Sequence, residues 1–232
     1  MSKLPLLASF KALSTNVSFL LIFIPFSVYV GFFNAVSSLI NQILSPYNYS
    51  ETQAGIAGGI LIIVGLLTAA VTSPILDRTH AYLFAARTLT PIIGIAYLAF
   101  VWAPQTRGVA APFAILAILG AASFALVPAA LEYLVEITFP VSPEVSSVIC
   151  WAGGQLLGGV FIVVMNALKD GPSANPPGNM YRALVFQAVL CMAVVPLPQL
   201  LGRKFVGLGG DMRRRFLVDE AGDADEAGEA PR

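Results

Sequence analysis

Two sets of side-chain amides hold most of the chemistry this chain can perform inside an apolar surrounding. Asn34, Ser37, Ser38 and Asn41 recur at three- and four-residue spacing, which puts them on one face of a helix, with Gln42 beside them. Gln155 stands about ten residues into a later apolar run, one turn beyond Trp151 and near one stripe with Gly159 and Asn166. A carboxamide both donates and accepts hydrogen bonds, so such faces suit the binding of a polar solute. The chain offers no nucleophile with a base beside it and no pair of carboxylates flanking a polar cleft. Its single histidine, His80, has no second His or Cys near it, and Cys150 and Cys191 fall inside apolar runs as small hydrophobes. No metal, no other cofactor and no enzymatic activity are expected.

The elements that position these groups are six apolar runs, at about 17–44, 54–76, 84–103, 109–134, 146–168 and 181–201. A bilayer core about 30 Å thick takes about 20 apolar residues per helix, because lipid offers backbone N–H and C=O groups no partner. The expectation is an all-α membrane protein with six transmembrane helices. The composition agrees, with 57% hydrophobic and 11% charged residues. Zero net charge leaves no electrostatic case for nucleic acid, so the lipid bilayer is the expected surrounding partner. The first run is longer than the apolar part of a cleavable signal, and five more follow it. Pro25, Pro91, Pro112, Pro128 and Pro196 lie within or near the ends of runs, where membrane helices tolerate them. The chain divides into an N-terminal segment at 1–16, the spans at 17–202, and a tail at 203–232 whose Asp, Glu, Ala and Gly suit disorder.

Lys and Arg near the span ends give the orientation. Lys3, Lys11, Arg78, Arg87, Arg203, Lys204, Arg213, Arg214 and Arg215 fall on one side, and Arg107, Lys169 and Arg182 on the other. That bias places both termini in the cytoplasm of a plasma-membrane or organelle-membrane protein. The sequon Asn48-Tyr49-Ser50 then faces outward or into a lumen. Arg213 to Arg215 read either as a solvated, topology-setting cluster or as a contact for anionic lipid.

Small residues flank Gln155: Ala152, Gly153, Gly154, Gly158 and Gly159. They read either as a tight helix crossing, with Gln155 bonding a neighbouring helix, or as room beside an amide that meets a solute. Gly55 and Gly59 form another small-xxx-small pair, for which helix packing is expected. Charges gather at the cytoplasmic span ends: Asp77, Arg78, Arg87, Glu132 and Glu136. They read either as a network of Asp77, Arg87 and Glu136 that gates that side, or as interfacial charge snorkelling to water. No acidic residue sits at the middle of a span, which favours facilitated movement over proton coupling.

The stretch Pro128-Ala-Ala-Leu-Glu132-Tyr-Leu-Val-Glu136-Ile-Thr-Phe-Pro140, then Ser146-Ser147, Gln155 and Gly158, resembles the feline leukaemia virus subgroup C receptor-related branch of the major facilitator superfamily. There a Pro…Glu…Val-Glu-(Ile/Leu)-Thr-Tyr-Pro motif ends the tenth helix, and a Ser-Ser pair opens a Gln-bearing eleventh. Val36-Ser37-Ser38-Leu39-Ile40-Asn41-Gln42 is similar to its seventh helix, and Tyr49-Ser50-Glu51 through Gln53-Ala54-Gly55 to Leu76-Asp77 is similar to its eighth. The resemblance implies that the six spans are helices seven to twelve, one half of a major facilitator fold. It also implies that the residue matching Gln155 faces a central cavity and contacts small cationic solutes such as choline and ethanolamine, while pyridoxine-like solutes and haem are also linked to the branch. Asn34 stands where the branch carries a cavity-facing Tyr, and Trp151 where it carries a small polar residue. Asp77 and Arg78 match the superfamily's Gly-x-x-x-Asp-Arg loop motif, with Ser73 at its Gly.

The function expected from these features is that of a secondary transporter, or the C-terminal half of one. It would move a small organic solute by alternating access along a path of Gln155, Asn34, Asn41 and Trp151. Six helices lack the second wall of such a path, so an N-terminal half or a second copy is the expected partner. The alternative is a non-transporting half-length membrane protein that assembles with, or regulates, a full-length transporter.

Overall fold

In the computed structural model of the protein, which describes residues 6–138 and 141–201, every apolar run is helical. A helix α1 (Leu6–Thr15) occupies most of the N-terminal segment. The spans follow as α2 (Val17–Leu44), α3 (Glu51–Thr79), α4 (Tyr82–Phe100), α5 (Ala110–Thr138) and α6 (Pro143–Ala167). The last is α7 (Tyr181–Val194) continued by α8 (Pro196–Leu200). All six are long and apolar enough to cross a bilayer, and no strand occurs among the described residues. The protein is an all-α, multi-pass membrane protein whose architecture fits one half of a major facilitator fold. Lys3, Arg203, Lys204, Arg213 to Arg215 and the acidic tail lie outside the described residues.

Polar residues just beyond the apolar runs set the helix ends. The Asn16 side chain accepts from the Phe19 N–H at 3.1 Å and caps α2, while its Nδ2 donates to the Ile137 carbonyl at 3.4 Å, joining the start of α2 to the end of α5. Ser50 and Gln53 form a reciprocal capping box, with bonds of 3.2 and 2.9 Å, so α3 begins three residues before its apolar run. Tight turns then alternate the helix directions. One end of the bundle carries the connections at 45–50, 101–109 and 168–180. The other carries residues 80–81 and 141–142, together with Leu201.

Prolines free carbonyls that other helices must satisfy. Pro91 has no N–H for the Arg87 carbonyl, and Gln199 Nε2 donates to it from α8 at 2.6 Å. The break before Pro196 turns the Val195 N–H to the Met192 carbonyl at 3.3 Å. The Cys191 carbonyl so released accepts from the Tyr29 hydroxyl at 3.1 Å, and the same hydroxyl lies 3.3 Å from the Thr90 carbonyl. Pro112 sits in the first turn of α5, where no intrahelical N–H is required.

Close packing, rather than exclusion from water, holds membrane helices together. The principal pairs are α3 with α5, α2 with α6, and α4 with both α5 and α7. At the α3–α5 crossing a Cβ on Gly120 would overlap the Leu61 carbonyl, and one on Gly65 would meet Phe124 at 2.5 Å. Gly55 and Gly59 do not serve this crossing: no atom of another element comes within 4 Å of where their Cβ would be. The expectation that they pack is therefore corrected within this chain: both lie on the outward face of α3 with the exposed Ile56, Ile62 and Ile63, while Ala54, Ala57 and Leu61 form its buried face. Deeper in the bundle Phe32 stacks on Phe161 at 3.9 Å between centroids, and Phe186 meets both edge-on at 5.9 and 6.1 Å. Such pairs contribute about 0.5–1.5 kcal/mol each beyond their buried area.

Gly120→Ala should lower stability by about 1–3 kcal/mol through overpacking against Leu61. Gly59→Ala, with open space for its Cβ inside α3, should raise the stability of the isolated chain by about 0.5–1 kcal/mol through helix propensity. Thermal unfolding of the two variants in detergent checks both values.

Candidate functional site

The site begins where α6 lies against α2 with almost no side chain between them. A Cβ on Gly154 would meet Val30 at 2.6 Å, and one on Gly153 would meet the Ser27 hydroxyl at 2.6 Å. A Cβ on Gly158 would crowd Asn34 at 3.2 Å, while one on Gly31 would touch Leu157 and Phe161 at 3.0 Å. This approach lets two amides meet across the crossing: Asn34 Nδ2 donates to Gln155 Oε1 at 3.1 Å. Gln155 stands midway along α6, so the pair lies deep in the span.

Among the described residues that bond uses only part of each carboxamide. Gln155 keeps an NH2 donor and Asn34 a carbonyl acceptor, so the pair can both give and take a hydrogen bond. Gln155 is exposed and Asn34 half-buried. The Ser37 hydroxyl donates to the Asn34 backbone carbonyl at 3.0 Å and steadies that turn of α2.

Asn34 opens onto a cleft of about 380 Å³ between α2, α3, α5 and α6. Its walls are aromatic: Phe26, Tyr29 and Phe33 from α2, Phe124 from α5, and Trp151 from α6. Trp151 meets Phe26 edge-on at 5.7 Å, and Phe33 meets Phe124 at 5.6 Å, so the rings brace one another. The polar lining is Asn34, Ser73 and Ser123, and the buried Ser123 hydroxyl has no hydrogen-bond partner among the described residues. Among the described residues no carboxylate lines the cleft. Ring faces beside amide and hydroxyl groups suit an uncharged or cationic organic solute, held by cation–π attraction in the second case. Among the described residues no His, Lys or carboxylate of the same lining stands beside its serine hydroxyls to activate them.

The structure thus brings together Asn34, Gln155 and Trp151 of the expected path. Asn41 lies two turns along α2 from Asn34, exposed and outside the cleft lining. Of the expected gate, Asp77 and Arg78 are exposed on the last turn of α3, Glu132 is exposed on α5, and Glu136 is half-buried. Arg87 turns to the end of the chain's last span, where its guanidinium donates to the Leu201 carbonyl. No ion pair joins Asp77 to Arg87 among the described residues, where the ion pair present is Arg182 with Asp170 at the opposite end, 3.3 Å apart. Sequence reasoning missed Phe26, Tyr29, Phe33 and Phe124 as site residues. Their helical spacing reads as ordinary core, and only the crossing of α2 with α5 and α6 makes them a wall.

No family model matches the chain. It is 30% identical over 82% of its length to solute carrier family 49 member A3 of Xenopus tropicalis, covering 40% of that protein. It is 26% identical over 79% of its length to the choline/ethanolamine transporter FLVCR1 of Mus musculus, covering 33% of it. Against the choline/ethanolamine transporter flvcr2b of Danio rerio it is 27% identical over 97% of its length and covers 44%. The chain spans less than half the length of each, and these relatives are named as transporters or solute carriers rather than as enzymes.

In a double-mutant cycle, Asn34→Ala and Gln155→Ala should couple by about 0.6 kcal/mol, the usual strength of an interhelical hydrogen bond in a membrane protein. Unfolding in mixed micelles measures it.

Proposed function

We propose that this chain, a homologue of the feline leukaemia virus subgroup C receptor-related transporters, supplies the C-terminal wall of a solute path through a membrane. The observation that carries the reading is the half-satisfied Asn34–Gln155 pair at the edge of an aromatic cleft deep in the span. An amide held at membrane depth is costly unless it meets a partner, so the spare acceptor of Asn34 beside the cleft and the spare donor of Gln155 favour a polar ligand.

The proposed solute is a small organic cation of the choline or ethanolamine kind. Two relatives are named for those solutes, and the cleft offers five aromatic rings and no competing fixed charge. In the branch a Tyr stands where this chain has Asn34. Here Tyr29, Phe33 and Trp151 provide ring faces in its place, and Asn34 offers an amide to a hydroxyl or ammonium group.

A path needs a second wall. The exposed apolar face of α3 and the bare Gly55, Gly59 and Gly159 leave room for another six-helix half, an N-terminal half or a second copy. Rocking of the two halves would expose the pair to one side and then the other. In this reading the Arg78 and Arg87 end faces the cytoplasm, which the bias of Lys and Arg toward that side supports. Gating there falls to Asp77, Arg78, Glu132 and Glu136, with Arg87 fastening the end of the last span.

Radiolabelled choline uptake by cells expressing the chain together with a complementary half tests this reading. Trp151→Ala should raise the half-saturating concentration about threefold or more, and Trp151→Phe should restore most of the loss. Gln155→Ala should cut uptake at unchanged surface abundance. Uptake that Gln155→Ala leaves intact would remove the amide pair from the path.

A further inference from the structure

The end of the bundle opposite Arg87 holds a second cavity, of about 410 Å³, lined by none of the residues of the aromatic cleft. Three connections build it: Tyr47 comes from the turn between α2 and α3, Gln105 and Arg107 from the turn between α4 and α5, and Asp170 and Asn175 from the connection between α6 and α7. Pro176 and Asn179 of the same connection and Tyr181, the first residue of α7, complete it.

Hydrogen bonds within and beside these walls hold them in place. The Tyr49 hydroxyl donates to the Gly108 carbonyl at 3.1 Å and ties the first two turns together. The Asp170 N–H donates to the Asn179 carbonyl at 2.9 Å and closes the base of the third connection. The buried Asn179 carboxamide then donates to the Pro176 carbonyl at 2.8 Å and accepts from the Tyr181 N–H at 3.1 Å. A cavity shaped in advance costs a ligand little in ordering.

Its charges are unevenly satisfied. Asp170 is held by Arg182 at 3.3 Å, so the carboxylate already has its cation. The Arg107 guanidinium has neither an ion pair nor a hydrogen bond among the described residues. Tyr47 is 7% exposed, and its hydroxyl has no hydrogen-bond partner there although it lines the cavity. Two unmatched donors, one a guanidinium, with the primary amides of Gln105 and Asn175 beside them, match the oxygens of an anion. An isolated cation would instead face Arg107 with its counter-ion already taken.

We propose that this cavity binds the carboxylate or phosphate group of a small soluble solute. Arg107 forms the two-pronged contact, the Tyr47 hydroxyl adds a further donor, and the Tyr181 ring lies against the remainder of the molecule. The site is independent of the aromatic cleft and of what passes through it.

Thermal unfolding of the purified full chain in an uncharged detergent, at constant ionic strength, tests the proposal with succinate and inorganic phosphate as probes. The expected result is a saturable rise in the unfolding midpoint with either anion and none with choline chloride. Arg107→Ala should weaken half-saturation about tenfold or more, and Tyr47→Phe by a smaller factor. Arg107 is exposed, so its loss should not impair folding, and the midpoint of the unliganded variant verifies this. Asn34→Ala should keep the full response, which separates this site from the amide pair. Absence of a saturable rise, or an equal response in Arg107→Ala, would overturn the proposal. So would a rise produced only by phosphatidylglycerol in the micelle, which would make the cavity a headgroup site.

Discussion

The separation of α2 and α6 is set by backbone meeting side chain, with Gly153, Gly154 and Gly158 offering nothing beyond Cα to the facing residues of α2. In a bilayer no gain from shedding water drives helices together, so the depth of this approach decides which side chains meet. At the observed depth Asn34 reaches Gln155, Phe161 stacks on Phe32, and Trp151 comes edge-on to Phe26. A wider crossing would separate the amides, leave each to find a partner within its own helix, and open the stack. The two readings of the glycines around Gln155 are thus one arrangement: the tight crossing is what presents the amide.

Several of the polar groups at depth repair the backbone. Gln199 answers the Arg87 carbonyl that Pro91 leaves free, and Tyr29 answers the Cys191 carbonyl released at Val195. Thr68, Thr72, Thr88 and Thr138 fold their hydroxyls back onto carbonyls one turn earlier. Others do not: the buried Ser27, Tyr97 and Ser123 hydroxyls and the fully buried Gln187 carboxamide have no hydrogen-bond partner among the described residues. The amides of Asn34 and Gln155, by contrast, are partly used. They are bonded to each other across two helices and still hold capacity for a third group.

Hydropathy made the six spans legible, because lipid imposes the same apolar length on each. It located 17–44 to the residue, since the cap Asn16 falls where the apolar run begins. It undershot α3 at both ends, because Ser50 to Gln53 cap the helix with polar atoms and Asp77 to Thr79 continue it into charge. It ran the sixth span through 201 without a break, although Pro196 interrupts the backbone ladder just before α8. Spacing put Asn34 on a face and Gln155 in a glycine-rich run, but periodicity within a helix carries no register between helices, so their meeting was not legible. For the same reason Gly55 and Gly59 read as a packing pair while Gly65 and Gly120 carry the contact. The aromatic wall and the cavity around Arg107 come from several elements each, and no local pattern marks them.

The Tyr29 hydroxyl has one proton and two carbonyls within reach, Thr90 on α4 and Cys191 on α7. A donor so placed can hand its bond from one acceptor to the other with little change in energy. The joint it makes among α2, α4 and α7 is therefore a swivel rather than a rivet. α4 and α7 can slip past each other by a fraction of an ångström while the hydroxyl stays bonded throughout. The aromatic ring it carries remains seated in the cleft wall during that slip, so the scaffold can yield at its back while its lining keeps its shape.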